Sequence, residues 1–376
     1  MLILMMKIGK AILNLIYTFM KSLPQKEKIT FISRQHNYEN EDFRLVRTQI
    51  EKEYPSITCV VMTKMLDKGI ASRIEYALHM LAQMYHIATS KAVVLDTYCI
   101  VVSILRHRKN LKVIQMWHAV GALKKYGYSV IGKEEGSSRK VAEAMSMHKN
   151  YSYVCISSER CRESVAEAFG VEPEKLVVLP LPRLDLLSDE SYQEANADKI
   201  YQEYPNLKNQ KKKILYAPTF RKKEKEHDAV KALINQIDFT RYELIVKLHP
   251  LSKHPETMQG VLVDSKFDTI DMLTVADYVI TDYSALVFEA AHLRKPLFFY
   301  AYDLNTYLKK RGFYMDYEKE MPGVISDRAE RIVEAIEREQ FDEEEIERFD
   351  LVNINRLGVS YTDDFVKFLL EQIGLE

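Results

Sequence analysis

Two α/β domains with parallel sheets, each Rossmann-like and facing the other across a cleft, are the architecture that this 376-residue sequence predicts. Three observations predict it. Short β-branched runs alternate with amphipathic helical segments, as helices covering a parallel sheet require. The alternation occurs twice, on either side of a charged, poorly apolar stretch from about Ser188 to Lys213. The length suits two cores of about 150 residues each.

The first set of strands is read at Ile29–Ser33, Ile57–Thr63, Ala92–Thr97, Val113–Trp117, Tyr153–Ser157 and Val177–Leu181, with helices such as Arg73–His86 and Glu159–Phe169 between them. The second set comprises Ile214–Ala217, Glu243–Leu248, Gly260–Val263, Tyr278–Thr281 and Pro296–Tyr300. Its helices include Ile270–Val275, Ala285–Leu293 and Arg328–Glu339. The expected division is residues 1–24, 25–188 and 189–376, with the last helix, Thr362–Gln372, crossing back onto the first domain.

Residues 1–24 are a separate case. Met1 to Met20 is almost wholly apolar, but Lys7, Lys10, Asn14, Thr18 and Lys21 recur every three or four residues and share one helical face. A spanning helix would have to bury Lys7 and Lys10, at about 2.5–3.5 kcal/mol each near the bilayer centre. The reading is therefore an amphipathic helix lying on a membrane surface, its lysines toward anionic headgroups. No small-residue cleavage site follows, which argues against secretion.

Composition narrows the function. Fifty-three Lys and Arg against 54 Asp and Glu leave no basic excess, which argues against a general nucleic-acid binder. Cys59, Cys99, Cys155 and Cys161 have no CxxC spacing and read as reduced thiols of a cytoplasmic protein. No GxGxxG or P-loop occurs, so phosphate must be held by helix N-termini and side chains.

Ligands of open parallel sheets bind beyond the carboxyl ends of the strands, so polar residues there carry the argument. Four segments qualify. Gln115–Lys125 ends a strand in Trp117-His118, followed by Gly121 and Lys124; His118 suits a general base because imidazole titrates near the working pH. In Leu215–Arg221 a Pro-Thr turn presents Thr219 and Arg221, and arginine suits bidentate phosphate binding. In Val246–Pro250, Lys247 and His249 alternate onto one strand face, a pairing suited to a pyrophosphate. In Asp277–Ala285 the strand ends at Thr281-Asp282. Ser284 is an expected N-cap for the following helix, whose N-terminus suits a diphosphate. Asp282 is a candidate for orienting a histidine or a ribose or polyol hydroxyl, and Glu289 for binding ribose. Each segment alone has an ordinary structural reading as a strand end or a βα turn.

In this order and spacing, the segments resemble the CDP-glycerol glycerophosphotransferase family of teichoic-acid enzymes. The resemblance runs from about Asp96 to Gly323 and is strongest at Gln115–Lys125, Ile214–Arg221, Lys247–Pro250 and Ile280–Tyr302. Asp303–Tyr307, Arg311–Tyr317 and Met321–Gly323 are also similar. The resemblance implies a GT-B architecture and a peripheral enzyme on the cytoplasmic face of the cell membrane. Its partners would be CDP-glycerol or CDP-ribitol and a lipid-linked polymer acceptor.

The family's two histidines fall on His118 and His249. The first would act as base on the acceptor hydroxyl; the second, with Pro250 beside it, would steady the donor diphosphate and the CMP leaving group. Arg221, Ser284 and its helix would bind phosphate, and Trp117, Gly121 and Lys124 would lie on the acceptor side. One departure stands out. His118-Ala-Val-Gly-Ala-Leu-Lys124 replaces the His-Gly-Thr-Pro-Leu-Lys of many members, which bears on acceptor or subfamily more than on chemistry. No metal site or tightly bound cofactor is expected, with Mg2+ left open as an ion brought by the substrate. The alternatives are a GT-B glycosyltransferase using a sugar nucleotide and a non-catalytic membrane-bound scaffold.

Overall fold

The computed structural model describes residues 2–66, 69–134, 136–221, 224–248, 260–356 and 358–375. The chain forms two compact units. The first contains Met1–Ala119, Tyr126–Arg183 and Asn355–Glu376; the second contains Val120–Lys125 and Leu184–Ile354. The division thus falls at Arg183/Leu184, and the short stretch after His118 belongs to the second unit.

In the first unit, β1 (Lys28–Ser33), β2 (Thr58–Thr63), β3 (Ala92–Leu95), β4 (Lys112–Gln115), β5 (Tyr153–Ile156) and β6 (Leu176–Val178) form one parallel sheet in the order β2-β1-β3-β4-β5-β6. Every residue of β1, Lys-Ile-Thr-Phe-Ile-Ser, is buried, as a central strand covered on both faces demands. Strand order reverses between β1 and β3, so the crevice beyond their carboxyl ends is the topological switch point. Helix α1 (Leu2–Met20) and helix α3 (Ile70–Thr89) pack against each other, and the C-terminal helix Tyr361–Ile373 packs on α2 (Glu41–Glu53).

The second unit contains β7 (Lys212–Ala217), β8 (Tyr242–Val246), β9 (Val261–Val263), β10 (Tyr278–Thr281), β11 (Leu297–Tyr300) and β12 (Val324–Ser326) in the parallel order β12-β11-β10-β7-β8-β9. Its switch point lies between β7 and β10, where the Thr219–Arg221 and Asp282–Ser284 segments emerge. Ile214, Tyr216, Leu244, Ile280 and Phe298 form the sheet side of a core closed by Ile332 and Ile336.

All eleven expected strands are present. β12 was not anticipated, because three residues after a glycine carry too short an apolar run to register. The charged stretch before β7 contains regular structure for which no element was read from the sequence. It holds a 14-residue helix, Glu190–Glu203, whose N-terminus is capped by the Asp189 side chain and which buries Asn196 and Ile200. All four cysteines are free; Cys59 is partly exposed and the others are buried.

Helix α1 forms where expected, but three members of its polar stripe, Lys10, Asn14 and Lys21, bond to the rest of the first unit. Asn14 Nδ2 donates to Ile104 O (3.0 Å) and Asn14 Oδ1 accepts from Arg106 N (2.9 Å). Lys10 Nζ donates to Ser146 Oγ (2.6 Å), and Lys21 Nζ to Arg106 O (2.7 Å). The expectation that these lysines reach toward headgroups is therefore corrected for Lys10 and Lys21: the Ser146 hydroxyl takes Lys10, and main-chain groups at the end of the neighbouring helix Ile100–Ile104 take Asn14 and Lys21. Tyr17 is fully buried on the same side and donates to His107 Nδ1 (2.8 Å). Burial pushes the His107 pKa down to about 4. The stripe left facing outward is Leu4, Ile8, Ile12, Leu15 and Phe19.

Candidate active site

In the first unit the chain leaves β4 through Met116 and then turns sharply at Trp117, whose φ is +68°. That conformation is costly for a residue with a side chain, so something must hold it. Gln115, fully buried, accepts from Trp117 N through Oε1 (3.0 Å) and donates through Nε2 to Thr97 O (3.1 Å) and Tyr151 Oη (3.2 Å). The indole stacks on Tyr126 at 5.0 Å and meets the edge of Phe169.

The turn delivers His118 to the end of β3, where its Nδ1 lies 2.9 Å from Asp96 O. A carbonyl only accepts, so Nδ1 carries the proton and the neutral ring keeps its lone pair on Nε2, the tautomer a general base needs. The Trp117 ring lies 4.1 Å from the imidazole, centroid to centroid.

Sequence reading did not anticipate the groups that hold this histidine. Arg183 Nη2 donates to the main-chain oxygen of His118 (2.8 Å). Arg183 is itself gripped by Asp42, whose Oδ2 accepts from Nη1 (3.0 Å) and whose Oδ1 accepts from Arg183 N (2.9 Å). Asp42 sits in the first turn of α2, which Asn40 caps through Oδ1; the amide of Asn40 donates to Asp96 Oδ2 (2.8 Å). Burial pushes the Asp42 carboxyl pKa up, with Arg183 opposing it. Burial also raises Asp96, to about 6. The available signal was an apolar strand ending in Asp96 next to a switch point; Asp42 and Arg183 left none, being far apart in sequence.

Gly121 and Lys124 belong to the second unit, unlike Trp117. Gly121 has φ +67°, and a Cβ there would come within 2.4 Å of Phe288 Cζ. Lys124 pairs with Phe313 in a single antiparallel bridge, and Lys125 N donates to Gly312 O (3.1 Å).

At the switch point of the second unit, Thr219, Arg221, Thr281 and Asp282 come together. Asp282, fully buried, accepts through Oδ1 from Thr219 N (2.8 Å) and Tyr283 N (2.5 Å), and through Oδ2 from Arg221 Nη2 (2.9 Å). Thr281 Oγ1 donates to Ala217 O (2.8 Å). Arg221 occupies a different place from the one expected. Nε and Nη2 reach both oxygens of Asp303 (2.9 and 3.0 Å), and Nη1 reaches Thr219 O (2.8 Å) and Phe220 O (3.3 Å). All five of its N–H groups are thus engaged within the protein. The rings of Tyr283, Tyr307 and Tyr302 surround the guanidinium at 5.0, 5.3 and 5.7 Å. Burial disfavours its charge, but Asp282 and Asp303 outweigh that and hold it protonated. In this structure Arg221 is a strut between three loops rather than an open phosphate ligand. Asp303, Tyr307 and Tyr317, noticed in the sequence without a role, are part of its cage; Tyr317 Oη donates to Asp282 O (2.9 Å).

Ser284 is displaced by one position from the expected cap: the N-cap of the helix Leu286–His292 is Ala285, and Ser284 Oγ accepts from Leu286 N (3.3 Å). Glu289 is buried in that helix. Lys247 lies apart from this network, donating from Nζ to Asp264 Oδ2 (2.6 Å) across the ends of β8 and β9. Burial opposes ionisation of Asp264, but Lys247, Tyr204 and the N–H of Lys266 lower its pKa overall. His249 and Pro250 lie outside the described residues. Among the described residues no group of three or more His, Cys, Asp or Glu stands close enough to hold a metal ion.

The profile of the CDP-glycerol:poly(glycerophosphate) glycerophosphotransferase family matches residues 15–364. The chain belongs to this family. It is 33% identical over 356 residues to the teichoic acid ribitol-phosphate primase of Bacillus spizizenii, covering 91% of each chain. It is also 33% identical over 358 residues to the teichoic acid poly(ribitol-phosphate) polymerase of that organism, spanning 91% of this chain but 56% of the polymerase. With the teichoic acid glycerol-phosphate primase of Bacillus subtilis it shares 33% identity over 269 residues, 69% of this chain and 68% of that one. Family and relatives are phosphotransferases, and this protein is an enzyme of that class.

The fold matches that of the wall teichoic acid polymerase TagF with a TM-score of 0.77, at 20% identity and 99% and 97% coverage. The two parallel-sheet units are therefore GT-B-like. A UDP-GlcNAc 2-epimerase from Neisseria meningitidis shares the fold more distantly, with a TM-score of 0.59 over 92% of this chain and 100% of that one.

Proposed function

We propose that the protein transfers glycerol phosphate or ribitol phosphate from a CDP-activated donor to a hydroxyl of a lipid-linked, teichoic-acid-type acceptor. The observation that carries this, within the family, is the His118 ring held by the Asp96 carbonyl in the tautomer of a general base. The acceptor oxygen attacks the β-phosphorus of the donor. A new P–O ester bond forms, the anhydride bond to the α-phosphate breaks, CMP leaves with the bridging oxygen, and the hydroxyl proton passes to His118 Nε2. Base catalysis of this kind contributes about 10²–10⁴-fold; the rest of the acceleration is positioning and charge neutralisation.

The donor diphosphate is assigned to the switch point of the second unit, near the main chain of Thr219 and Ser284. Arg221 and Asp282 shape that seat rather than fill it, and His249 retains the role the family resemblance implies. The enzyme works peripherally on the cytoplasmic face of the membrane, and the outward apolar stripe of α1 supports that reading.

Incubation with CDP-glycerol, CDP-ribitol and UDP-sugars, with a lipid-linked acceptor, tests the assignment. CMP release with a CDP-polyol is expected, reduced at least 100-fold in His118→Ala. UDP release from a sugar nucleotide would make the protein a glycosyltransferase. Undiminished turnover in His118→Ala would remove the base.

A further inference from the structure

Among the described residues five aspartates are buried: Asp42, Asp96, Asp264, Asp282 and Asp350. Four of them are fully partnered. Asp42 takes Arg183 on both oxygens, through the guanidinium and the main-chain N–H. Asp264 accepts from Tyr204 and Lys247, and Asp282 from Arg221 and two main-chain N–H groups. Asp350 pairs with His292 on one oxygen and Arg294 on the other. Each of the four has a Lys or Arg against it and both oxygens occupied, which is how a fold tolerates a buried carboxylate.

Asp96 is the exception. It is 2% exposed, and its Oδ2 accepts from Asn40 Nδ2 (2.8 Å). Arg183, the cation of this network, is committed to Asp42 and to His118 O. The Ser33 and Thr97 hydroxyls approach the carboxyl and ease its ionisation against the effect of burial, which raises its pKa to about 6 and still leaves it charged at neutral pH. At Oδ1, however, no donor among the described residues stands within hydrogen-bond geometry. An unmade hydrogen bond on a buried charged oxygen is costly, and a fold keeps one where the function uses it.

The place of Asp96 says what that use is. It follows β3 at the switch point of the first unit, and its own main-chain oxygen holds Nδ1 of His118 (2.9 Å). The vacant oxygen therefore belongs to the residue that orients the base. An ionised carboxylate only accepts hydrogen bonds, and like charge turns a phosphate away. Of the groups on a polyol-phosphate acceptor, the hydroxyl alone fits, and an oxygen so enclosed has room for one small group.

We propose that Asp96 is a specificity-determining residue whose Oδ1 accepts a hydrogen bond from the acceptor hydroxyl beside the attacking one, and so fixes which hydroxyl faces His118 Nε2. This rests on the phosphotransfer reading above and deepens it by naming what is recognised on the acceptor. The proton of the attacking hydroxyl still passes to His118; Asp96 takes none.

The test is steady-state CMP release from the CDP-polyol with two lipid-linked acceptors. One ends in glycerol phosphate, the other in a deoxy counterpart that lacks only the hydroxyl beside the attacking one. The proteins are the wild type, Asp96→Ala and Asp96→Asn, each checked for folding by circular dichroism. The wild type should prefer the glycerol acceptor by about tenfold or more in kcat/KM, because the deoxy acceptor leaves a buried polar group unpaired. Asp96→Ala should lose that preference. Asp96→Asn, whose amide can turn an N–H to the hydroxyl, should keep part of it, and a preference lowered at least threefold there decides the matter if the alanine variant does not fold. Equal use of the two acceptors by the wild type would overturn the proposal. So would an undiminished preference in both variants at lower turnover, the mark of a purely structural aspartate. A raised KM for the CDP-polyol with acceptor preference unchanged would move the contact to the donor. No CMP release by the wild type with either acceptor would overturn the acceptor assignment of the proposed function, and this recognition with it.

Discussion

Replacing Arg183 by methionine keeps most of the side-chain volume and removes two connections at once: the ion pair to Asp42 Oδ2 (3.0 Å) and the hydrogen bond to His118 O (2.8 Å). The first concerns stability. Asp42 is buried, and stranding a buried charge costs about 3–5 kcal/mol. The main-chain N–H of residue 183 still donates to Asp42 Oδ1, and the carboxyl, its pKa already pushed up by burial, can take a proton, so the lower end applies.

The second concerns turnover. A hydrogen bond from a charged donor contributes about 1.5–3 kcal/mol. If that energy holds His118 in register, kcat falls about ten- to a hundredfold, since each 1.4 kcal/mol is a factor of ten. Adding Asp42→Asn separates the two. The neutral pair should recover most of the stability, measured by urea unfolding, while CMP release stays low because the anchor on His118 is still missing. Stability and turnover recovering together in the double variant would refute the positioning argument, as would a fully active Arg183→Met.

Three further outcomes are expected. Gly121→Ala should cost about 1–2 kcal/mol for a left-handed residue, plus about 1–3 kcal/mol for crowding Phe288, and a lowered urea midpoint checks it. Asp303→Asn turns one acceptor beside Arg221 into a donor and should destabilise by about 1–3 kcal/mol; steady-state kinetics should show KM for the CDP-polyol rising more than kcat falls. Asp96, raised by burial from 3.8 to about 6, keeps a proton in the native state that the unfolded chain has released. Its contribution is therefore full below about pH 4 and is lost as pH rises to about 6, a change of about 3 kcal/mol. Unfolding curves of Asp96→Asn across that window should show a flatter pH dependence than the wild type.

The central strands were legible because each is a short apolar run buried along nearly its whole length, as in β1, β3 and β10, and that pattern is local. Helix Glu190–Glu203 was not, because only Asn196 and Ile200 are buried among its charged residues. For α1, periodicity told which residues share a face but not what that face meets; the orientation depended on unpaired backbone groups near Ile104, some ninety positions along the chain. The loops carrying His118, Thr219 and Asp282 could be picked out as polar strand ends. The fate of Arg221 could not, because its partners Asp282 and Asp303 reach it only through the order in which β7, β10 and β11 are laid down. The same holds for Asp42 and Arg183, which meet beyond the ends of strands distant in sequence.

Because the chain leaves the first unit after Ala119 and again after Arg183, returning at Tyr126 and Asn355, no single cut releases two intact halves. Severing it at 354 would strip the helix Tyr361–Ile373 from its seat on α2 and lay bare Phe365 and Leu369. A chimera meant to exchange the second unit with that of a relative must therefore graft two pieces in one operation, 184–354 and the six-residue insert 120–125, or Gly121 will confront a foreign ring in place of Phe288.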